Sequence, residues 1–299
     1  MALQTTNVTL PTSVALAIVE KAKDTSTIAA LSPADTINGF LDDKYNVFTG
    51  AAEAEVVAEG AKKSGYDQTV THVEGKRFTV QVTTRASKQL QWADEADQLK
   101  ILDAIQADQA NAIGRALDIV VYRALNPKTG TALDGYTALD TTAAQVTAGK
   151  DEIANIDALA AAVQDWDING IALSRSWAAK LRTLRASATG SRLYPEIPLS
   201  LQAGSLDGIP AVVSNTVKGT KTKAVAPEVM AFLGDFSTIK WRLTRPITAE
   251  VIPYGDPDNT GVDLAGNNQI AYRTEAVFSY AVLNPKAIAA LKAAASTGR

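Results

Sequence analysis

Two short motifs in this sequence could supply a nucleophile with a base. Ser237-Thr238-Ile239-Lys240 matches Ser-x-x-Lys, and Lys128-Thr129-Gly130 matches the Lys-Thr-Gly that accompanies it in acyl-serine chemistry. The order is reversed, no Ser-Asp-Asn lies between them, and Ser237 stands at the head of an extended segment rather than a helix. A second pattern, Asp256-Pro257-Asp258-Asn259-Thr260-Gly261, offers hard oxygens and a turn glycine, as the opening of a calcium loop does. Its fifth position is Thr260, its twelfth is Asn267 instead of a bidentate Glu, and no helices flank it, so a polar turn is the expectation. His72 is the only imidazole and sits between Thr71 and Val73 with no evident partner, which predicts a surface residue near the tip of a hairpin. Asp94, Glu95 and Asp97 could pair as acids, but their position accounts for them as charges at a helix start. Neither Gly-x-x-x-x-Gly-Lys-Ser/Thr nor Gly-x-Gly-x-x-Gly occurs, which leaves nucleotide chemistry without an anchor.

Composition narrows the chemistry further. With no Cys among 299 residues, disulfides, thiol catalysis, iron–sulfur clusters and Cys-based zinc sites are impossible. One His excludes sites that need two or three imidazoles. The 29 Lys plus Arg against 32 Asp plus Glu give a net charge of -3, with no overall electrostatic reason to grip nucleic acid. The N-terminus lacks the basic start of a signal peptide, the first Lys being Lys21. No apolar run approaches the roughly 18 residues of a spanning helix, so no membrane partner is expected. Neither a cofactor nor a metal is implied.

The elements that must carry any function follow from periodicity. Residues 1–45 are polar and Thr-rich, with one amphipathic stretch, Val14 to Lys23, after Pro11 and a Ser13 cap. From Val47 the chain runs through Ala54–Gly60 to a polar tip with Lys62, Lys63, Gly65 and Asp67, then returns through Gly75 into Phe78, Val80 and Val82. That return alternates with Thr79, Gln81 and Thr83, the period of a strand with one covered face, so the whole predicts a long hairpin. Leu102, Ile105, Ile113, Leu117, Val120 and Ala124 form a helical stripe closed by Asn126-Pro127, predicting a helix from Asp97 to Leu125 about 40 Å long at 1.5 Å per residue. Helices follow at Ile153–Val163 and Trp177–Leu184, and short strands at Ile171–Leu173, Ile209–Val213 and Val229–Leu233. Long extended segments run from Ile239 to Ile252 and from Gln269 to Val282, and an Ala-rich helix is expected to end the chain. The class is α+β, with no internal repeat or linker.

The order of these parts resembles the major capsid proteins of tailed bacteriophages, the Hong Kong 97-type fold. Ala54 to Lys63 looks like the ascending part of that family's extended loop, and Phe78 to Ser87 like its return. Asp97–Leu125 looks like the spine helix, and Ser205-Leu206-Asp207-Gly208-Ile209-Pro210-Ala211-Val212-Val213 like the family's Leu-x-Gly-x-Pro-Val strand. Leu233-Gly234-Asp235-Phe236, Tyr272-Arg273 and Asn284-Pro285-Lys286-Ala287 follow in the family's order.

The resemblance implies a shell protein without enzymatic activity, divided into an N-terminal arm at 1–45, an extended loop at 46–82, a peripheral domain with the spine helix at 83–125, an axial domain at 126–236, peripheral return strands at 237–282 and a C-terminal axial helix at 283–299. It implies pentamers and hexamers in an icosahedral head around double-stranded DNA, assembled in the bacterial cytoplasm and kept in the virion. Partners would be other copies of the chain, a separate scaffolding protein, a portal and, in some heads, decoration proteins. Packaged DNA would be close but not specifically bound. Contacts between subunits are expected from the extended loop through Glu55, Glu59, Lys62, Lys63, Asp67 and Lys76. No large N-terminal cleavage is expected, because no long acidic helical segment precedes the arm, and no crosslink, because Lys62, Lys63 and Lys76 have no identifiable partner pattern. Within the same fold the alternative is an encapsulin, favoured if Val14–Lys23 were a firm cargo-docking helix. The alternative from another class is an α+β enzyme with an unrecognised carboxylate site.

Overall fold

A computed structural model describes residues 26–35, 44–49, 53–65, 69–89, 91–92, 101–187, 190–219 and 227–294. The expected helix at Val14–Lys23, the acidic helix start at Asp94, Glu95 and Asp97, and the tip residue Asp67 lie outside these. The first described element is a single helical turn, α1 (Thr27–Leu31), whose N-cap Ser26 accepts from the Ala29 amide. Strand β1 (Lys44–Thr49) pairs antiparallel with β2 (Thr69–Glu74), and β3 (Lys76–Ser87) continues from β2 with an alternation that buries Phe78 and Ala86.

Helix α2 (Ile101–Arg123) is the long brace foreseen in the sequence, and Ala110, Ile113, Leu117, Val120 and Val121 line its buried side. Helices α3 (Leu139–Thr142), α4 (Glu152–Ala162) and α5 (Arg175–Thr183) follow, interleaved with β4 (Ala144–Thr147) and β5 (Gly170–Leu173). Asp151 caps α4 and Ser174 caps α5, each accepting an amide of the first turn. The rest is extended: β6 (Ser205–Leu206), β7 (Ile209–Val213), β8 (Val229–Gly234), β9 (Ile239–Ile252), β10 (Gln269–Val282) and β11 (Ile288–Lys292).

These strands make three sheets. The hairpin β1-β2 stands by itself, β3-β10-β9 form an antiparallel sheet that packs on α2, and six strands in the order β4-β11-β8-β5-β7-β6 form a mixed sheet. One core lies where α1, α2 and the three-stranded sheet meet the start of the six-stranded one, around Ile28, Phe78, Tyr122, Phe232, Phe236 and Trp241. A second lies between the six-stranded sheet and α4 and α5, centred on Trp177, Leu159, Leu173 and Leu291.

Two expectations are corrected. The Ala-rich segment Ile288–Lys292 is a strand, not a helix: it is wedged between β8 and β4 with Ile288 through Leu291 fully buried. Alanine's helix preference is weak, and hydrogen bonds on both edges together with burial on both faces override it. The ascending side of the hairpin is Lys44–Thr49 rather than Ala54–Lys63: among the described residues the ladder runs to Thr49 opposite Thr69, and none of residues 53–65 is in a strand. The short side chains of Ala54 and Ala58 give a strand little to pack, whereas Tyr45, Val47 and Phe48 are strong strand formers.

Candidate assembly surface

The hairpin β1-β2 is held by cross-strand pairs. Tyr45 faces Val73, Val47 faces Thr71, Asn46 faces His72 and Phe48 faces Val70. His72 Nδ1 lies 2.7 Å from Asn46 Oδ1, and Lys44 meets Glu74 at 3.8 Å. His72 is therefore exposed, as expected, but it lies within the strand and has a partner. A two-stranded ladder without a third strand or a packed helix is marginal in water. Here Phe48 is 62% exposed, Val70 41% and Val56 100%, an apolar area that a monomer leaves wet.

Beyond the ladder, the loop closes on itself. Glu55 accepts from both the hydroxyl and the amide of Ser64, and a tight turn brings the Ala61 amide 3.0 Å from the Ala58 carbonyl through Gly60 at φ +79. These hydrogen bonds, the hydroxyl's first, hold the Glu55 carboxyl below the usual carboxylate range. A depressed value means that the clasp is in place above the ordinary glutamate range and opens as pH falls through the lower one. Ser64→Ala, which removes the hydroxyl and keeps the amide, is expected to move the Glu55 midpoint, followed by NMR titration, up toward that of an exposed glutamate. An unchanged midpoint would remove the clasp from the account.

The six loop residues singled out from sequence do not converge. Glu55 is engaged with Ser64, and Glu59, Lys62 and Lys63 are exposed around the turn with no ion pair among the described residues. Lys76 is exposed at the foot of the hairpin opposite Tyr280, and Asp67 is outside the described residues.

That foot is firmly built. Phe78 stacks on Phe278 with centroids 5.5 Å apart and meets Tyr280 edge-on at 6.0 Å, while Tyr136 packs on both Phe78 and Tyr280. The Tyr136 hydroxyl donates to the Arg77 carbonyl at 2.5 Å, tying the chain after α2 to the strand that leaves the hairpin. A soft, exposed ladder thus stands on a rigid aromatic base.

The motifs that suggested chemistry have structural uses. Lys128-Thr129-Gly130 forms a turn whose first two amides bond the Asn126 side chain, and the Ser237 amide bonds Asp235 in a 3-10 turn before β9. Asp256 and Asp258 both receive Arg85 from β3. The Arg85 guanidinium also donates to the Val262 carbonyl at 3.0 Å, and Arg273 donates to the Pro257 carbonyl at 2.6 Å. Asp256 closes the turn by accepting from the Thr260 and Gly261 amides. Among the described residues no group of three or more His, Asp or Glu is placed to hold a metal ion.

Comparison with known proteins decides among the readings. The model of the phage capsid family matches residues 6–293. The chain belongs to the phage capsid family. A structure from Mycobacterium phage Ogopogo is 33% identical, with a TM-score of 0.77 over 91% of this chain and 92% of that one. One from Gordonia phage Cozz is 25% identical, with a TM-score of 0.75 over 91% and 87%. The capsid of an empty GTA particle computed with C5 symmetry, at 14% identity, shares the fold, with a TM-score of 0.62 over 90% of each chain. No curated protein matches. This is a tailed-bacteriophage major capsid protein of Hong Kong 97-like α+β fold, a structural protein of the virion that assembles with copies of itself into a shell.

The sequence reading missed the polar groups buried inside this capsid protein. Gln109 on α2 donates to Thr84 Oγ1 at 3.1 Å and to the Tyr272 carbonyl at 3.0 Å, and it accepts from Thr274, joining helix to sheet. Arg123 meets Asp140 at 3.1 Å, with both side chains almost wholly buried, and Lys292 of β11 reaches the same carboxylate at 3.7 Å. Asp118 accepts five hydrogen bonds in a site fully closed to solvent. A signal was available: across Ala116–Ala124, the most apolar part of the helix, only Asp118 and Arg123 are charged. A charge there needs a dedicated partner or several donors.

Proposed function

We propose that this capsid protein assembles as pentamers and hexamers into an icosahedral head that encloses double-stranded phage DNA. The observation that supports the reading most directly is the hairpin, whose apolar Phe48, Val70 and Val56 are exposed while its foot is fixed by Phe78, Phe278, Tyr136 and Tyr280. A ladder that is anchored at its foot yet buries little of itself gains its stability from a partner surface. In this reading the loop 46–82 lies over a neighbouring subunit, and Glu55, Glu59, Lys62, Lys63, Asp67 and Lys76 supply its polar contacts. Residues 1–45 reach beneath another copy. Residues 83–125 and 237–282 make the contacts between capsomers, and 126–236 with 283–299 surround the capsomer axes.

A separate scaffolding protein, a portal and, in some heads, decoration proteins complete the particle in the bacterial cytoplasm. A net charge of -3 suits a wall that encloses DNA without gripping it. The protein does no chemistry on a small substrate.

Sedimentation velocity with negative-stain microscopy, with and without co-expressed scaffold, tests this. Pentamers, hexamers or closed shells are expected, and a monomer under every condition would overturn the reading. The double substitution Lys62→Glu, Lys63→Glu is expected to abolish shells while changing subunit stability by less than about 0.5 kcal/mol, as exposed sites do. Shells of normal yield from that variant would remove the two lysines from the contact.

A further inference from the structure

The carboxylate of Asp118 lies where three parts of the chain meet. It projects from the spine helix α2 toward Ser26, Thr27 and Ile28 at the root of the N-terminal arm, and toward Thr216 in the 3-10 turn after β7. Ser26 Oγ donates at 2.5 Å, the Thr27 amide at 2.8 Å, Thr27 Oγ1 at 2.9 Å, the Ile28 amide at 3.2 Å and Thr216 Oγ1 at 2.6 Å. Tyr122, one turn further along α2, lies 2.8 Å from Thr27 Oγ1 through its hydroxyl, which leaves the threonine proton for the carboxylate. Asp118 is 0% exposed, and what acts on it is burial and these donors, with no cation among the described groups.

Two large effects therefore oppose each other. Closing an anion away from water without a counter-ion is costly, and only the assembled donors offset it. Burial pushes the Asp118 carboxyl up against the hydrogen bonds of Ser26, Thr216, Thr27 and Ile28, so desolvation is not fully compensated. The segment held in this way is short. Helix α1 is five residues, anchored otherwise by Ile28 and Leu31 in the core and by Ser32, whose hydroxyl donates to the Ile239 carbonyl at 2.6 Å and whose carbonyl accepts from Trp241 Nε1 at 3.0 Å. A small element whose retention is a close balance is the kind that opens locally while the cores stay folded.

We propose that Asp118 is a latch for the root of the arm. Closed, it fixes Ser26–Ile28 against the spine helix and the Ser214–Thr216 turn, and with them the point from which residues 1–25 depart. Open, it hydrates the carboxylate and frees Ser26 and Thr27 to turn, while the Ile28 side chain stays in the core beside Phe232 of β8 and Trp241 of β9. Resting on the shell reading above, the latch gives one sequence a way to direct its arm differently in pentamers and hexamers, whose surroundings are not identical. Asp118 and Thr216 are positioning residues: the Thr216 hydroxyl, which also lies 2.8 Å from Ser214 Oγ, donates to the carboxylate that accepts from the Thr27 and Ile28 amides.

Hydrogen exchange on the unassembled full chain tests this independently of shell formation. In Thr216→Val, the Thr27 and Ile28 amides are expected to exchange about ten- to a hundredfold faster, the effect of one lost buried hydrogen bond to a charge, while the Phe278 and Tyr280 amides of β10 keep native rates. Thr216→Ser, which retains the hydroxyl, is expected to restore native exchange. If Thr216→Val does not fold, Thr216→Ala serves, since it also removes the hydroxyl that reaches the carboxylate, with the same expectation for the Thr27 and Ile28 amides. Native rates at Thr27 and Ile28, or an equal acceleration at Phe278 and Tyr280, would overturn the latch. Particle formation by the unmodified chain tests the shell reading separately.

Discussion

A chain carrying Gly234→Ala is expected to lose its native fold. Gly234 ends β8 at φ +148, a backbone conformation that L side chains rarely adopt, and a Cβ there would lie 2.1 Å from the Ala287 carbonyl oxygen and 2.8 Å from Ile288 Cα. Both obstacles are backbone. They cannot swing aside, because Ile288 is paired with Gly234 in the ladder and the Asp235 amide bonds the Ala287 carbonyl at 2.9 Å. The same corner is pinned by Asn169, which donates to Asp235 at 2.6 Å and accepts from the Phe236 amide at 2.8 Å. Relief would require parting β8 from β11 in the middle of a sheet, at a cost above about 4 kcal/mol, a large share of a domain's whole stability. Thermal melting of the purified subunit checks this, with Gly204→Ala as the control, since nothing lies within 4 Å of a Cβ at Gly204. A Gly234→Ala subunit that melts within about 4 °C of the native one would show that the corner yields.

The second large effect is expected at Asp140. This carboxylate sits between Arg123 at the end of the spine helix and Lys292 on β11, with side-chain exposures of 2% for Arg123, 8% for Asp140 and 17% for Lys292. Burial pushes the Arg123 guanidinium down, and Asp140 opposes that. Asp140→Ala leaves two enclosed cations facing each other's neighbourhood, with the Pro227 carbonyl, 3.2 Å from Arg123, still in place as an acceptor. Breaking a buried pair from one side costs about 3–5 kcal/mol, whereas replacing both partners by apolar groups of similar volume is close to neutral. Chemical denaturation is therefore expected to show Asp140→Ala strongly destabilised, and Arg123→Met with Asp140→Leu and Lys292→Met, which removes all three charges, recovered to within about 1.5 kcal/mol of native. A triple variant no better than the single would mean that the group does more than neutralise itself.

Where the sequence was legible, the reason is periodicity backed by burial. The extended segments read at Ile239–Ile252 and Gln269–Val282 are β9 and β10 to the residue, because both are long, rich in β-branched and aromatic side chains, and bounded by turns. Within the stripe that announces the spine helix, Ile113, Leu117 and Val120 are buried in the core and Ile105 is half-buried. Illegibility arose where tertiary contacts overrule local preference. Ile288–Lys292 has the composition of a helix, and only its place between two strands makes it one of them. The hairpin's ascending strand is Lys44–Thr49, where Tyr45, Val47 and Phe48 favour extended backbone more strongly than the alanines of Ala54–Gly60 do. Of the assembly surface, the loop could be found from its polar tip, but its exposed apolar pair, Phe48 and Val70, could not, since register across the hairpin must be known before the two face each other. The buried Asp118 was visible as an anomaly in an apolar stripe, while its five donors come from residues up to 98 positions away.

The position of β11 bears on when a subunit becomes competent. The six-stranded sheet is not built in the order in which the ribosome delivers it. β11, the last described strand to be synthesised, is inserted between β4 and β8, which are made far earlier. Until residues 288–292 emerge, β4 has no neighbour and β8 has one open edge, so the nascent sheet is divided and Gly234 has nothing to close against. A polypeptide interrupted before that strand cannot present a finished subunit to its neighbours. A chain cut short before Ile288 therefore lacks the strand that joins β4 to β8, and its six-stranded sheet stays unfinished.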